Sequence, residues 1–292
     1  MELQGRIDAI RKQGLGLAAI SYDPPETLSA FSRQRRITFP LLSDAGSETI
    51  KRYGILNTVV TAALGPNAKD PAVAEDAKKF VSVVGANARM VGIPFPGTFI
   101  LDRDGHVKSR FFEESYVERN TSSSILMRVG ARETAAGTQL STEHLEVRTY
   151  PSESAVAVGN RFSIAFDVTP KPRIHVYAPG AEGYRVIGVT ILPQPFVRVL
   201  PLKYPKSEMY FFRPLNERVP VYEKPFRLVQ EIRLEGDPDA QAALRGKDSL
   251  IMTGVLDYQA CDDRVCFNPM SVPVTWTLSL RALIRERPTG PQ

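Results

Sequence analysis

The hydrophobic pattern of this chain changes character about halfway along its length. In the first 130 residues, segments with apolar side chains at helical spacing alternate with short apolar runs of the kind that form buried strands. From residue 145 onward, short apolar or alternating segments are separated by proline and glycine, which indicates strands with almost no helix. One uniform architecture cannot satisfy both patterns. We therefore expect an α/β domain followed by an all-β domain.

The chain length agrees with two domains. Its 292 residues exceed the roughly 100 to 200 residues of one domain, and 43% hydrophobic content can supply two cores. The predicted boundaries are 1–130 for the first domain and 145–284 for the second. Residues 131–144 lose apolar periodicity and are predicted to be a linker, and 285–292 a tail.

The first domain shows a succession of helices and strands. Leu3, Ile7 and Ile10 recur at helical spacing, and residues 14–22 follow as an apolar run suited to a buried strand. A second helical face lies within 71–85. Residues 97–112 then form two apolar runs joined by an Asp-Gly turn, which predicts a hairpin.

The second domain contains six segments with strand patterns. These are 146–150, 161–168, 185–191, 226–234, 250–258 and 272–280. Several short strands joined by turn residues are typical of two packed antiparallel sheets, so we predict a β-sandwich.

Charge and hydropathy exclude several classes of partner. The net charge of +5 arises from 37 basic and 32 acidic residues spread along the chain, and the densest basic cluster, 33–36, lies in an apparent amphipathic helix. No apolar run approaches the roughly 18 residues that span a membrane, and the first 13 residues lack a signal peptide's apolar core. We expect no nucleic-acid partner and no membrane span, and the compartment stays open.

The sequence offers one credible site for chemistry, the pair Cys261 and Cys266, which are its only cysteines. Four intervening residues let a turn bring the two α-carbons within the roughly 4.4 to 6.8 Å that a disulfide requires. Exchange also needs one reachable sulfur. Asp262 and Asp263 disfavour a thiolate while Arg264 favours one, so local charge does not assign the nucleophile.

Three other interpretations of the pair remain open. It could be a static disulfide that staples a loop, a metal site, or two inert thiols. His106, His144 and His175 show no ligand spacing to the cysteines, so we predict neither a metal nor a cofactor. Asp102 and Asp104 are interpreted as turn residues rather than calcium ligands.

The first domain resembles the redoxin branch of the thioredoxin fold, the group of alkyl hydroperoxide reductases and thiol-specific antioxidant proteins (AhpC/TSA). The matching segments are Tyr22-Asp-Pro-Pro-Glu-Thr-Leu, Phe39-Pro-Leu-Leu-Ser-Asp, Tyr53-Gly-Ile and Pro94-Phe-Pro-Gly-Thr-Phe-Ile-Leu-Asp-Arg-Asp-Gly. The resemblance implies a thioredoxin-like fold. It also places on Pro96 the role of the family's proline, which is usually cis and lies against the active cysteine.

The resemblance begins inside a helix. Met1-Glu-Leu-Gln-Gly-Arg-Ile resembles the middle of the helix that carries the family's active cysteine at its N-terminus. The domain is therefore expected to lack its first strand and its active-site turn, which would lie upstream of residue 1. No residue here inherits the peroxidatic cysteine.

The second domain resembles the N-terminal periplasmic domain of the thiol:disulfide interchange protein DsbD. The match lies in Leu256-Asp-Tyr-Gln-Ala-Cys-Asp-Asp-Arg-Val-Cys-Phe-Asn-Pro and Val272-Pro-Val, with weaker similarity near His175. It implies an immunoglobulin-like sandwich with one redox-active pair, supported by Tyr258. It also implies an aromatic cap at Tyr204 or its neighbours, Cys261 as the reacting sulfur, and a periplasmic or cell-envelope location.

These resemblances lead to two hypotheses. The first is a thiol:disulfide oxidoreductase component whose Cys261/Cys266 couple relays electrons or disulfides to or from a thioredoxin-like protein or domain. The second is a non-catalytic binding module in which the two cysteines form a structural disulfide. Whether this chain is an enzyme by itself is left open, because the peroxidatic cysteine is not in it.

Overall fold

A computed structural model describes residues 2–66, 68–84, 90–112, 116, 118–131, 137–213 and 216–282. The chain divides into two compact units, Met1–Ser122 and Ser123–Gln292. The predicted tail 285–292 and part of the predicted linker, 132–136, lie outside the described residues.

The first unit mixes helices and strands, as its sequence pattern predicts. Its helices are α1 (Glu2–Gly5), α2 (Ile7–Lys12), α3 (Pro25–Arg35), α4 (Glu48–Arg52), α5 (Thr58–Ala63) and α6 (Pro71–Val84). Its strands are β1 (Ala19–Ser21), β2 (Leu41–Ser43), β3 (Gly97–Leu101), β4 (Val107–Phe112) and β5 (Arg119–Asn120).

Local sequence signals explain several of these elements. Helix α3 begins at Pro25, where a missing N–H costs nothing, and α5 begins after Asn57, whose side chain accepts hydrogen bonds from two backbone N–H groups. Strands β1 and β2 pair in parallel, and β3 and β4 form the predicted antiparallel hairpin. Gly105 turns that hairpin at φ +85°, a backbone conformation that favours glycine.

The second unit is mostly β-sheet. Its helices are α7 (Ser122–Arg128), which starts at the last residue of the first unit, and α8 (Pro238–Leu244). Its strands are β6 (Thr138–Ser141), β7 (Leu145–Pro151), β8 (Ala155–Val156), β9 (Asn160–Pro170), β10 (His175–Tyr177), β11 (Gly188–Ile191), β12 (Val197–Val199), β13 (Glu208–Phe212), β14 (Glu217–Tyr222), β15 (Phe226–Leu234), β16 (Ser249–Tyr258), β17 (Ala260–Cys261) and β18 (Met270–Leu280).

These strands form three sheets, ordered β12-β15-β9-β7-β6, β11-β16-β18-β8 and β13-β14-β10-β17. The first two sheets share one apolar core, with Phe166 and Leu228 from one sheet and Met252 and Trp276 from the other. Along β16 the core-facing and outward-facing residues alternate, as a strand with one buried face requires. Gly254 of β16 allows β11 to come close, because a Cβ there would lie 2.6 Å from the Thr190 carbonyl oxygen.

The third sheet also packs one face on this core, through Val176, Tyr222 and Ala260. Its other face carries Tyr177, Val219, Val221 and Cys261, which form a separate buried cluster. The cysteine pair therefore lies on the side of this sheet that faces away from the main core.

Two expectations about this region change. Residues 138–141, predicted to be linker, form β6 and pair with β7. The strand predicted at 185–191 begins only at Gly188 in β11. Among the helices of the described ranges, none is both long and apolar enough to cross a membrane.

Candidate functional site

Cys261 and Cys266 form a disulfide that closes a tight turn at the end of β17, with α-carbons 4.1 Å apart. The backbone on both sides of the bridge is hydrogen-bonded: the Asp262 N–H donates to the Val265 carbonyl at 3.0 Å, and the Phe267 N–H donates to the Ala260 carbonyl at 2.9 Å. The sulfurs are thus held at the tip of a two-stranded turn.

Asp262 holds the turn in place. Its Oδ1 accepts hydrogen bonds of 2.7 Å from the backbone N–H groups of Val265 and Arg264. These bonds to the charged form lower the pKa of the Asp262 carboxyl below its ordinary value, that from Val265 contributing most. The carboxylate is therefore ionised at neutral pH and acts on the loop rather than on the sulfurs.

The two sulfurs differ in access. Cys261 is fully buried, whereas Cys266 is only partly buried. Val265, which precedes Cys266, has 55% of its surface exposed. Cys266 is therefore the more accessible cysteine of the pair.

Tyr177 brings a hydroxyl group to the disulfide. Its oxygen lies 2.8 Å from Cys261 Sγ and 3.3 Å from Cys266 Sγ. A disulfide sulfur carries no hydrogen, so the hydroxyl is the only donor of this contact. Tyr177 is fully buried, and burial raises the pKa of its hydroxyl above the ordinary value, with the neighbouring Tyr184 adding to the shift.

Tyr184 links Tyr177 to a carboxylate. The two tyrosine rings stack with centroids 4.0 Å apart and planes inclined by 14°. The Tyr184 hydroxyl donates a hydrogen bond to Glu217 of β14. Glu217 is half-buried.

His175 faces the same side of the sheet as Cys261. The two residues are directly paired between β10 and β17, which places their side chains next to each other. The imidazole is buried, its ring centroid lies 4.4 Å from that of Tyr210, and its Nε2 has no hydrogen-bond partner among the described residues. Burial lowers the pKa of His175, and Asp263 and Asp262 only partly oppose this.

The other predicted site residues lie elsewhere. Tyr258 belongs to the main core, and its hydroxyl contacts Thr142 Oγ1 at 2.8 Å and Met270 Sδ at 3.3 Å. The Tyr204 hydroxyl donates to the Ile187 carbonyl, while the aromatic side chains packed around the pair are Tyr177, Tyr184 and Tyr210.

Pro96 lies in the first unit, where it lines a cavity of about 240 Å³ with Ile20 and Phe95. The peptide bond before it is trans, contrary to the cis geometry that the family resemblance implied. The trans form of an X-Pro bond is favoured by about 0.5 to 1 kcal/mol unless tertiary packing selects the cis form.

One group of possible metal ligands exists among the described residues: Asp102, Asp104 and His106, with ligand atoms within 4.8 Å of one another. The Asp102 carboxylate already accepts hydrogen bonds from the backbone N–H groups of His106 and Asp104, and Lys108 Nζ lies 3.1 Å away. This is the pattern of an aspartate-stabilised turn, as the sequence indicates.

The sequence interpretation missed Tyr177, Tyr184 and Glu217 as site residues. The alternation His175-Val-Tyr177 was visible and places positions 175 and 177 on one face of a strand. No comparable signal points to Tyr184 or Glu217, because their contacts depend on a loop and a strand that are distant in sequence.

Comparison with known proteins identifies the first unit. Residues 1–110 match the AhpC/TSA family. The chain begins with an AhpC/TSA redoxin domain. The predicted resemblance is therefore confirmed for this domain, and the mostly β-sheet second unit follows it. No curated protein matches the chain.

Several solved structures align with about half of the chain. The N-terminal periplasmic domain of ScsB from Proteus mirabilis is 17% identical over 47% of this chain and 49% of that one, with a TM-score of 0.34. The GAE domain of GGA2p from Saccharomyces cerevisiae is 9% identical over 49% of this chain and 97% of that one, with a TM-score of 0.28. The yeast GGA1 GAE domain is 8% identical over 48% of this chain and 98% of that one, with a TM-score of 0.27.

Proposed function

We propose that this protein is a thiol:disulfide oxidoreductase component whose second unit relays electrons or disulfides through the Cys261/Cys266 couple. The observation that carries the proposal is the disulfide itself, with one buried sulfur, one accessible sulfur and the Tyr177 hydroxyl within hydrogen-bond distance of both. A redoxin domain in the same chain supports this class of chemistry and a thioredoxin-like protein or domain as the partner.

The proposed exchange proceeds in two steps. A thiolate of the partner attacks Cys266 Sγ, the bond to Cys261 Sγ breaks, and its electron pair stays on Cys261. A mixed disulfide between the partner and Cys266 results. The partner's second thiol then attacks the partner sulfur of this bond, which releases Cys266 as a thiolate and leaves the partner oxidised. The reverse sequence oxidises the module.

This assignment reverses the preference for Cys261 as the reacting sulfur that the sequence resemblance implied. Attack requires the nucleophile to approach along the axis of the S–S bond, so the exposed side of Cys266 is the favourable target. Cys261, fully buried, is then the leaving sulfur on reduction and the sulfur that closes the bridge on oxidation.

We extend the proposal to the architecture and location of the second unit. Two sheets that enclose a common core, antiparallel except for the parallel β18–β8 pair, support an immunoglobulin-like sandwich. Supporting roles for Tyr258 and Pro96, and a periplasmic or cell-envelope location, belong to the same proposal and derive from the sequence resemblance.

A redox titration tests the function. The intact protein would be equilibrated with thiol/disulfide buffers of defined potential, and free thiols would be counted after alkylation. A midpoint between about −120 and −270 mV supports exchange with thioredoxin-like partners, whereas a midpoint below about −300 mV identifies a structural disulfide. The second result would favour the binding-module hypothesis and overturn the relay.

A further inference from the structure

Reduction of the disulfide creates a charge problem at Cys261. When the bridge opens, the electron pair remains on a sulfur that is fully buried among Tyr177, Val219 and Val221. An isolated thiolate in such surroundings is strongly disfavoured, so the sulfur must take up a proton as the bond breaks. Oxidation requires the same proton to leave.

A series of hydroxyl groups leads away from this sulfur. Cys261 Sγ lies 2.8 Å from the Tyr177 hydroxyl, the Tyr177 ring stacks on that of Tyr184 with centroids 4.0 Å apart, and the Tyr184 hydroxyl donates to Glu217. Glu217, at the start of β14, and Tyr184 are half-buried, whereas Tyr177 is fully buried. The series therefore runs from a buried sulfur to a carboxylate in contact with solvent.

We propose that Tyr177, Tyr184 and Glu217 form a proton path between solvent and Cys261. The inference rests on the proposed exchange function and adds to it the group that supplies the proton. During reduction, Tyr177 gives its hydroxyl proton to Cys261 and takes one from the stacked Tyr184. Tyr184 is reprotonated through Glu217, which first takes up a proton from water. During oxidation each proton moves in the opposite direction, and the Cys261 thiolate attacks Cys266 Sγ of the mixed disulfide with the partner, which breaks that bond and releases the partner's sulfur as a thiolate.

The neutral state of the tyrosines suits this role. The pKa of Tyr177 is raised by burial first and by Tyr184 second, and the pKa of Tyr184 is raised by burial and by Glu217. Both hydroxyls therefore stay protonated at neutral pH and can pass a proton without holding a charge.

Other titratable groups near the pair are less suited to this task. The Asp262 carboxylate is engaged by two backbone N–H groups, and Asp263 accepts from the Tyr210 hydroxyl. Burial lowers the pKa of His175, which disfavours the charged imidazolium that would donate a proton at neutral pH. Arg173 and Glu223 act on Asp262 and Tyr210 only through their charge.

The test is the rate at which dithiothreitol reduces the disulfide of the full chain, measured in H₂O and D₂O. Tyr177→Phe, Tyr184→Phe and Glu217→Gln keep the shape of each side chain and remove one member of the path. We expect each to slow reduction by about 100-fold, the lower end of the range for a positioned proton donor, and to change the solvent isotope effect. Glu217→Asp should restore part of the rate.

Tyr204→Phe is the matched control, because it removes a tyrosine hydroxyl that bonds a backbone carbonyl instead of a sulfur. It should react like the unmodified protein. Far-UV and near-UV circular dichroism would verify that each variant is folded. If one variant is not folded, the test uses the variants at the other two positions of the path.

The outcomes separate the two proposals. If the titration places the couple below about −300 mV, the exchange function itself fails. If the couple lies in the exchange range and Tyr184→Phe and Glu217→Gln are reduced at the unmodified rate with an unchanged isotope effect, the exchange function stands and the proton path is overturned.

Discussion

Single residues decide which cysteine is accessible and which side chains contact the pair. Cys266 is accessible while Cys261, five positions earlier, is fully buried, and His175 and Tyr177 approach the buried sulfur from the neighbouring strand. The chemistry of the pair therefore depends on side chains about 85 positions away in sequence as much as on the turn that carries it.

The difference in access predicts an asymmetric trapping result. Cys261→Ser leaves Cys266 as a free thiol that should form a stable mixed disulfide with a thioredoxin-like protein whose second active-site cysteine is replaced by serine and whose first is activated with an aromatic disulfide reagent. Cys266→Ser leaves only the buried Cys261 and should give at least tenfold less complex. Non-reducing electrophoresis measures both, and equal trapping by the two variants would contradict the assignment of Cys266 as the reacting sulfur.

His175 predicts a pH-dependent stability of the second unit. Its pKa in the folded protein is lowered from 6.5, mainly by burial, so the unfolded chain binds the proton first as pH falls. The contribution of His175 to the free energy of unfolding is fully present above about pH 6.5 and is lost as pH falls toward the folded-state pKa of His175. His175→Phe, which keeps a ring against Tyr210, should flatten this dependence.

Urea denaturation between pH 5 and 7.5 measures this effect as the difference between the variant and the unmodified protein. His106→Phe serves as the control, because His106 is exposed in the hairpin of the first unit. If His175→Phe loses as much stability between pH 7.5 and pH 5 as the unmodified protein does, His175 is not the group responsible.

At the scale of elements, a buried carboxylate holds helix α7 on its sheet. Glu231 of β15 is almost fully buried and pairs with Arg128 of α7 at 2.6 Å and with Arg161 of β9. The Arg128 side chain is itself only 11% exposed. Loss of the carboxylate would leave two guanidinium groups partly buried without their counter-charge, which is costly.

Glu231→Gln should therefore lower the free energy of unfolding by about 3 to 5 kcal/mol. Glu235→Gln is the matched control, since Glu235 pairs at 3.0 Å with Arg198, whose side chain is 60% exposed, and should cost no more than about 1 kcal/mol. Chemical denaturation of both variants provides the comparison. Similar losses in the two would show that burial does not set the strength of the Glu231 interactions.

At the scale of the whole molecule, the redoxin domain and the cysteine pair occupy different units. Residues 1–110 match the family, yet both cysteines of the chain lie in the second unit. Peroxide reduction by a redoxin requires a thiolate nucleophile, and residues 1–260 contain no cysteine.

The 292-residue chain is accordingly expected to show no peroxide turnover by itself. Hydrogen peroxide consumption by the purified, dithiothreitol-reduced protein would be compared with that of the Cys261→Ser/Cys266→Ser double variant, and the two rates should agree. Sustained turnover by the unmodified protein alone would show that the second-unit cysteines can act as the peroxidatic site.

The sequence by itself determined the division into an α/β and a mostly β-sheet part, the hairpin at 97–112, the redoxin resemblance and the location of the cysteine pair. Each of these depends on residues close together in the chain, where periodicity and turn chemistry act. The closeness of the cysteines to each other also has a local cause, since a four-residue turn connects them.

The tertiary structure alone decided which sulfur is exposed and which side chains surround the pair. Tyr177 and Cys261 are 84 positions apart, and Tyr184 and Glu217 are 33 positions apart. Their contacts require the register between β10, β14 and β17, which the packing of distant strands sets, because one residue of slip would turn every one of these side chains to the opposite face. For this reason Tyr258, which is close to Cys261 in sequence, lies in the main core, while the distant Tyr177 contacts both sulfurs.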